Sequence, residues 1–206
     1  ANQSWTVTQG VSGAPSAGNF YGVGTDGSGT WVAVGYRSNI VYSSDNAATW
    51  QFRNSVSNGV SAGSVAWSGT DYIFDVAHDG TQFIIGGEDG KVATSTDGAN
   101  WQMLSLTGDN VSGNIKKIAY EPNTGRYVLG TTDGIWYTAP NGNVVGPYTQ
   151  ATNLGGSVAV FDAVYEPVRG IWSFFGDGGA LWRRSKRVIV LPAMAAVRRL
   201  AYWMFG

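Results

Sequence analysis

The sequence predicts an all-β fold, a β-propeller of about four four-stranded blades, from three observations. Its 206 residues include 30 Gly and only 13% charged residues, against a usual charged share of about 25%, a composition of many tight turns. A strand–turn–strand cue recurs four times, led in its second strand by Trp31, Phe83, Tyr127 and Trp172, which are 52, 44 and 45 residues apart. A short third strand follows each hairpin, and a fourth begins at a Trp in the first two copies. Four antiparallel strands at such a period make one propeller blade.

The hairpins run over residues 20–35, 73–87, 115–130 and 160–176, with turns at Asp26-Gly27-Ser28-Gly29, Asp79-Gly80-Thr81, Glu121-Pro122-Asn123-Thr124-Gly125 and Glu166-Pro167-Val168-Arg169-Gly170. Acidic residues beside Gly suit such turns, because a carboxylate accepts bonds from the turn's own N–H groups. The third strands are Ile40-Val41-Tyr42, Lys91-Val92-Ala93, Ile135-Trp136-Tyr137 and Ala180-Leu181-Trp182. The fourth strands start at Trp50-Gln51-Phe52 and Trp101-Gln102-Met103. Ser4-Trp5-Thr6-Val7 repeats that heading with no hairpin before it, while the fourth copy loses the pattern after Trp182. The expectation is that the N-terminal strand completes the last blade, which leaves no open sheet edge. A piece of a larger ring is the competing reading.

Between the third and fourth strands lie Ser43-Ser44-Asp45-Asn46-Ala47-Ala48-Thr49-Trp50 and the shorter Ser95-Thr96-Asp97-Gly98-Ala99-Asn100-Trp101. In each loop the Asp is placed to bond the loop's own backbone while the Trp packs beneath it. The third copy, Thr138-Ala139-Pro140-Asn141-Gly142-Asn143, has lost both residues, as has the fourth. The intact loops resemble the Asp-box, or BNR repeat, through Ser43, Asp45, Thr49 and Trp50, and through Ser95, Asp97 and Trp101. That resemblance implies a structural role for these residues, on the face opposite any ligand. The family includes sialidases, whose likeness would imply an arginine triad, a Tyr–Glu pair and an Asp acid/base. Residues 1–182 offer only Arg37, Arg53, Arg126 and Arg169, and Glu121 and Glu166 both mark turns. The reading is therefore not an enzyme, with no catalytic residue, metal or cofactor assigned. His78, the single histidine, precedes Asp79-Gly80 as a turn residue and supports neither a His-based metal cluster nor a serine triad.

A propeller gathers its second-to-third-strand turns on one rim. Here they bring Tyr36, Arg37, Asn39, Glu88, Asp89, Asp133 and Asp177 forward as a hypothetical binding rim, whose carboxylates could meet a cation or polar ligand groups. Of the nine Trp, Trp67 in the insertion before the second hairpin is the one expected to be exposed.

Charge divides the chain. Residues 1–182 hold all 14 acidic residues and seven of the 13 basic ones, while Arg183, Arg184, Lys186, Arg187, Arg198 and Arg199 lie beyond. An acidic body is a poor partner for nucleic acid. The domains are thus 1–182, the propeller, and 183–206, a basic segment whose run from Leu191 to Trp203 favours a short helix. That segment caps the ring or anchors a protein subunit; a membrane surface is the lesser reading, since no apolar run is long enough to span one. Absence of Cys rules out disulfides. The composition is similar in style to propeller modules of phage virions and tails and to secreted binding proteins. The function expected is recognition or assembly, in a virion or extracellular setting, by a structural protein. A sialidase-like glycoside hydrolase, or a lectin fragment with a glycan partner, is the alternative.

Overall fold

In the computed structural model, residues 19–54, 67, 70–106, 108, 111–151, 158–177, 181–184 and 188–190 are described. They form sixteen strands in four antiparallel four-stranded sheets. Sheet 1 holds β1 (Phe20–Thr25), β2 (Trp31–Gly35), β3 (Asn39–Ser43) and β4 (Gln51–Asn54). Sheet 2 holds β5 (Ile73–His78), β6 (Phe83–Gly87), β7 (Val92–Ser95) and β8 (Gln102–Leu104). Sheet 3 holds β9 (Ile115–Glu121), β10 (Arg126–Thr131), β11 (Gly134–Asn143) and β12 (Gly146–Gln150). Sheet 4 holds β13 (Val160–Glu166), β14 (Ile171–Gly176), β15 (Leu181–Arg184) and β16 (Val188–Val190). Within each sheet the strands lie in chain order.

The first strands pack successively, β1 on β5, β5 on β9 and β9 on β13. Each carries the same irregularity. Phe20 pairs with Gly35 and Gly22 with Val34, so Tyr21 is an extra residue; the register shifts again between Ile73 and Asp75, between Ile115 and Lys117, and between Val160 and Asp162. A bulge turns a spacing of two into three on one face. Ile73 with Val76, Ile115 with Ile118 and Val160 with Ala163 therefore all point back at the preceding sheet, and all are buried.

The apolar core consequently lies between sheets, in three parts. Val32, Val34 and Ile40 of sheet 1 meet Ile73, Val76, Phe83 and Ile85 of sheet 2. Ile84 and Val92 meet Ile115, Ile118 and Leu129, and Val128 and Ile135 meet Val160, Trp172 and Phe174. Polar atoms join two of these boundaries. The buried Asp75 carboxylate accepts the Ile118 N–H at 2.8 Å, and Lys117 Nζ stands 3.5 Å from both Asp75 and Asp162. Burial pushes the Asp75 carboxyl up, against the pull of Lys117 and the Ile118 N–H.

Three sequence expectations change. The place beside β15 assigned to Trp5-Thr6-Val7 is taken by β16, drawn from the basic segment, so the fourth sheet runs past residue 182. Trp5-Thr6-Val7 and the expected helix over 191–203 lie outside the described residues. Trp67, expected to be exposed, is buried in the first core, its indole against Gly87. In the third sheet, β11 runs on through the degenerate loop to Asn143 and turns at Val144–Val145 into β12.

The close approach of the sheets depends on small residues. A Cβ on Gly86 would lie 2.7 Å from Ile115 Cγ2 and 2.8 Å from Ile118 Cδ1. Gly86→Ala is expected to lower the urea unfolding midpoint by the equivalent of about 1–3 kcal/mol with an unchanged slope, the cost of overpacking.

Candidate functional site

The bulge sets up the most distinctive surface of the molecule. Its extra residues are Tyr21, Phe74, Lys116 and Phe161, one per sheet, next to the end where the second-to-third-strand turns gather. Tyr21 is 6.0 Å, ring centre to ring centre, from both Phe74 and Tyr72. Tyr72 lies 5.7 Å from Phe74 in a stacked arrangement and 4.8 Å from Tyr36. Lys116 Nζ sits 3.2 Å from the centre of the Phe74 ring, and Arg37 Cζ is 5.4 Å from that of Tyr36. Burial against these rings pulls the Lys116 ammonium below its ordinary value, opposed by Glu88. The result is a continuous aromatic strip between two cations, with Tyr21 and Arg37 exposed.

A repeated backbone bond fixes this end. Tyr36 N–H donates to Asn19 C=O, Glu88 to Tyr72, Thr132 to Asn114 and Asp177 to Ala159, at 2.9 to 3.0 Å. Each clips a turn to the residue before the first strand of its own sheet, and Ser38 N–H, donating to Asp71 C=O at 2.8 Å, ties the first of these turns to sheet 2, with Tyr36 beside Tyr72.

Of the seven residues predicted for the rim, Tyr36 and Arg37 belong to the strip. Arg37 has φ +58° and Asp89 has φ +55°, the left-handed conformation that lifts a turn tip outward. Glu88 accepts the Tyr72 N–H at 3.2 Å and so orders the strip from below. Asp89 is exposed 3.4 Å from Lys91, which pairs more closely with Asp71 at 2.7 Å. Asn39 is buried, with no hydrogen-bond partner for its Oδ1 among the described residues. Asp133 and Asp177 sit on the turns of the third and fourth sheets. Among the described residues, no group of three or more His, Cys, Asp or Glu side chains is arranged to hold a metal.

The Ser–Asp–Trp loops lie at the opposite end, where Asn46 N–H donates to Gly29 C=O of a first-to-second-strand turn. Asp45 Oδ1 accepts Ser43 Oγ at 2.7 Å and Thr49 N at 2.8 Å, and Oδ2 accepts Thr49 Oγ1 at 2.5 Å. Asp97 Oδ1 accepts Ser95 Oγ at 2.9 Å and the N–H groups of Ala99 and Asn100 at 2.8 Å. The Trp101 indole N–H closes onto Gly98 C=O at 3.0 Å and is buried against sheet 1, whereas Trp50 is half-buried. Thr49 chiefly, then Ser43, holds the Asp45 carboxyl down at about 2. For Asp97 burial acts upward, but its bonds from Asn100, Ala99 and Ser95 win and bring it to about 2.

The remaining charged candidates are dispersed. Arg126 and Arg169 stand at this loop end, away from Arg37, and Arg126 lies over the Tyr137 ring at 5.5 Å. Glu166 accepts the N–H groups of Val168 and Arg169 within its turn. Glu121 is buried, with its own turn folded back on its carbonyl. The Arg53 side chain lies outside the described residues. His78, expected in the turn, is the last residue of β5, and its Nδ1 accepts the Gly80 N–H of the turn at 3.1 Å.

No family model matches the sequence, and no curated protein matches it either. Solved structures do. YCF48 bound to D1 peptide is similar at 15% identity and TM-score 0.50, over 88% of this chain and 71% of that one. YCF48 from Cyanidioschyzon merolae is similar at 16% identity and TM-score 0.58, over 87% of this chain and 58% of that one. The WD40 β-propeller domain of Doa1 is similar at 14% identity and TM-score 0.57, over 84% and 53%. The fold is a β-propeller. This chain spans between about half and about seven tenths of the length of those propellers, and its four sheets are blades 1 to 4.

The two loop aspartates make a prediction about acid. Their folded values lie below the ordinary 3.8, so the stability they lend is complete above that value and is lost as pH falls towards about 2. The share of the urea unfolding midpoint that these two carboxylates supply should hold from neutral pH to about pH 5 and shrink below about pH 4, so the Asp45→Asn/Asp97→Asn variant should show a flatter acid limb than the parent.

Proposed function

We propose that this chain is a non-enzymatic recognition module that holds an extended segment of a protein partner along the strip of Tyr21, Phe74, Tyr72 and Tyr36. The observation that carries this reading is the strip itself: four rings with centres 4.8 to 6.0 Å apart, flanked by Lys116 and Arg37, on one rim of a rigid scaffold. Aromatic side chains bring large contact area at low conformational cost, and binding energy concentrates on such anchors. Apolar, aromatic or prolyl side chains of the partner stack on the rings, and its carboxylates meet the two cations. That a YCF48 structure similar in fold was solved with a peptide supports the choice of a polypeptide partner. From the low charge and the Cys-free, Gly-rich composition we infer a virion or extracellular setting, with the basic residues beyond 182 as a second contact to a protein subunit.

Panning a random-peptide library on the immobilised chain tests this. Sequences rich in aromatic or prolyl residues and carrying at least one acid are expected to enrich. The selected peptides should bind the Tyr21→Ala variant about tenfold more weakly, a loss of about 1.4 kcal/mol. Equal enrichment on a Tyr21→Ala/Tyr72→Ala chain, or a sharp hit on a glycan array in place of any peptide, would overturn the reading.

A further inference from the structure

The apolar core of this propeller is divided among three blade boundaries, and the two outward faces at the ends of the series are apolar as well. On blade 1, Phe20 and Val23 are 44% and 61% exposed. Their register equivalents, Ile73 and Val76, Ile115 and Ile118, and Val160 and Ala163, are all buried against a preceding blade. Trp31 and Trp50 repeat the contrast: both are half-buried, while Phe83, Tyr127, Trp172 and Trp101 are buried. On blade 4, Val164 and Phe175 are 54% and 45% exposed. In blade 1 the same two positions are Gly24 and Val34, pressed against blade 2, and Val34 is fully buried.

These faces are the two halves of one kind of interface that the chain already makes three times. Among the described residues, β13 does not pack on β1 as β9 packs on β13. We infer that blade 4 of one copy docks on blade 1 of a second copy, continuing the series head to tail. The inside boundaries supply the register. Gly24, the counterpart of Val164, would place a Cβ 3.4 Å from Val76 Cγ1, and Val76 is the counterpart of Val23. Val164 of one copy therefore meets Val23 of the next. A polar bond follows the same register. Asp162 occupies the position of Asp75, whose carboxylate accepts the Ile118 N–H across the boundary between blades 2 and 3. Its counterpart in the second copy is the N–H of Val23. Such a contact is heterologous, and it closes into a ring or extends according to the rotation per copy.

Because the chain has no cysteine, paired thiols report this contact cleanly. Val23→Cys and Val164→Cys are prepared as separate full-length proteins, both substitutions lying at exposed positions that folding does not depend on. The expected result is a covalent dimer on oxidation of the mixture and little from either variant alone, with the unmodified chain heavier than a monomer by light scattering. Phe175→Glu is expected to weaken the association by at least about tenfold. Three outcomes would overturn the inference. They are a monomer-sized disulfide in the Val23→Cys/Val164→Cys double variant, which would mean that the chain closes on itself; dimers from each single variant alone, which would mean like faces meeting; and a monomer without cross-linking.

Discussion

One extra residue at the start of every blade governs this molecule. Without it, strict alternation would send Ile115 and Ile118 to opposite faces of the sheet, and no blade could bury two large side chains against its predecessor at that end. With it, both insert beside Gly86, and the Asp75 carboxylate reaches the Ile118 N–H. The same residue is left unpaired by the ladder, so its side chain is free to face the rim. Tyr21, Phe74, Lys116 and Phe161 are in that position in each blade. The device that packs the blades together thus also produces the strip on which the proposed recognition rests.

What could be read from the sequence follows from this. The blade count, the hairpins and the third strands were legible, because Trp31, Phe83, Tyr127 and Trp172 recur beside turns whose Asp, Glu and Gly residues have a local mechanism. The Ser–Asp–Trp loops were legible for the same reason: their bonds run within a few residues of the Asp. The aromatic strip was not. It joins Tyr21 to Phe74 and Tyr72, more than fifty residues away, and a period-two reading puts those side chains on the wrong face. The recurrence of an aromatic one place after the first residue of the hairpin, at Tyr21, Phe74 and Phe161, was the available signal. Asn39 was misplaced because a turn residue and the first residue of the next strand look alike in sequence, whereas one points out and the other in. Trp67 was misplaced because an insertion was equated with exposure; its indole fills the space over Gly87. The outer strand of blade 4 was hidden by its setting, since Val188–Val190 is flanked by bases and lacks the Trp that heads β4 and β8.

Placing the cores between blades has an energetic consequence. A single blade buries little by itself, so each boundary contributes through its neighbours, as in other repeat proteins. Among the described residues the blades form a short linear array, in which blades 1 and 4 each pack on one neighbour. The exposed large apolar side chains among those residues are Phe20 and Val23 on the incoming face of blade 1, Val164 and Phe175 on the outgoing face of blade 4, Tyr21 and Phe161 at the rim and Val168 on a turn, with none on the interior blades. The rim strip lies on blades 1 and 2 with Lys116 from blade 3, so it straddles two of the buried boundaries. Loosening the first boundary separates its rings, and loosening the second draws Lys116 off Phe74. The proposed recognition at the rim and the packing along the series are therefore one mechanical system: whatever covers the incoming face of blade 1 also steadies β1, and with it Tyr21.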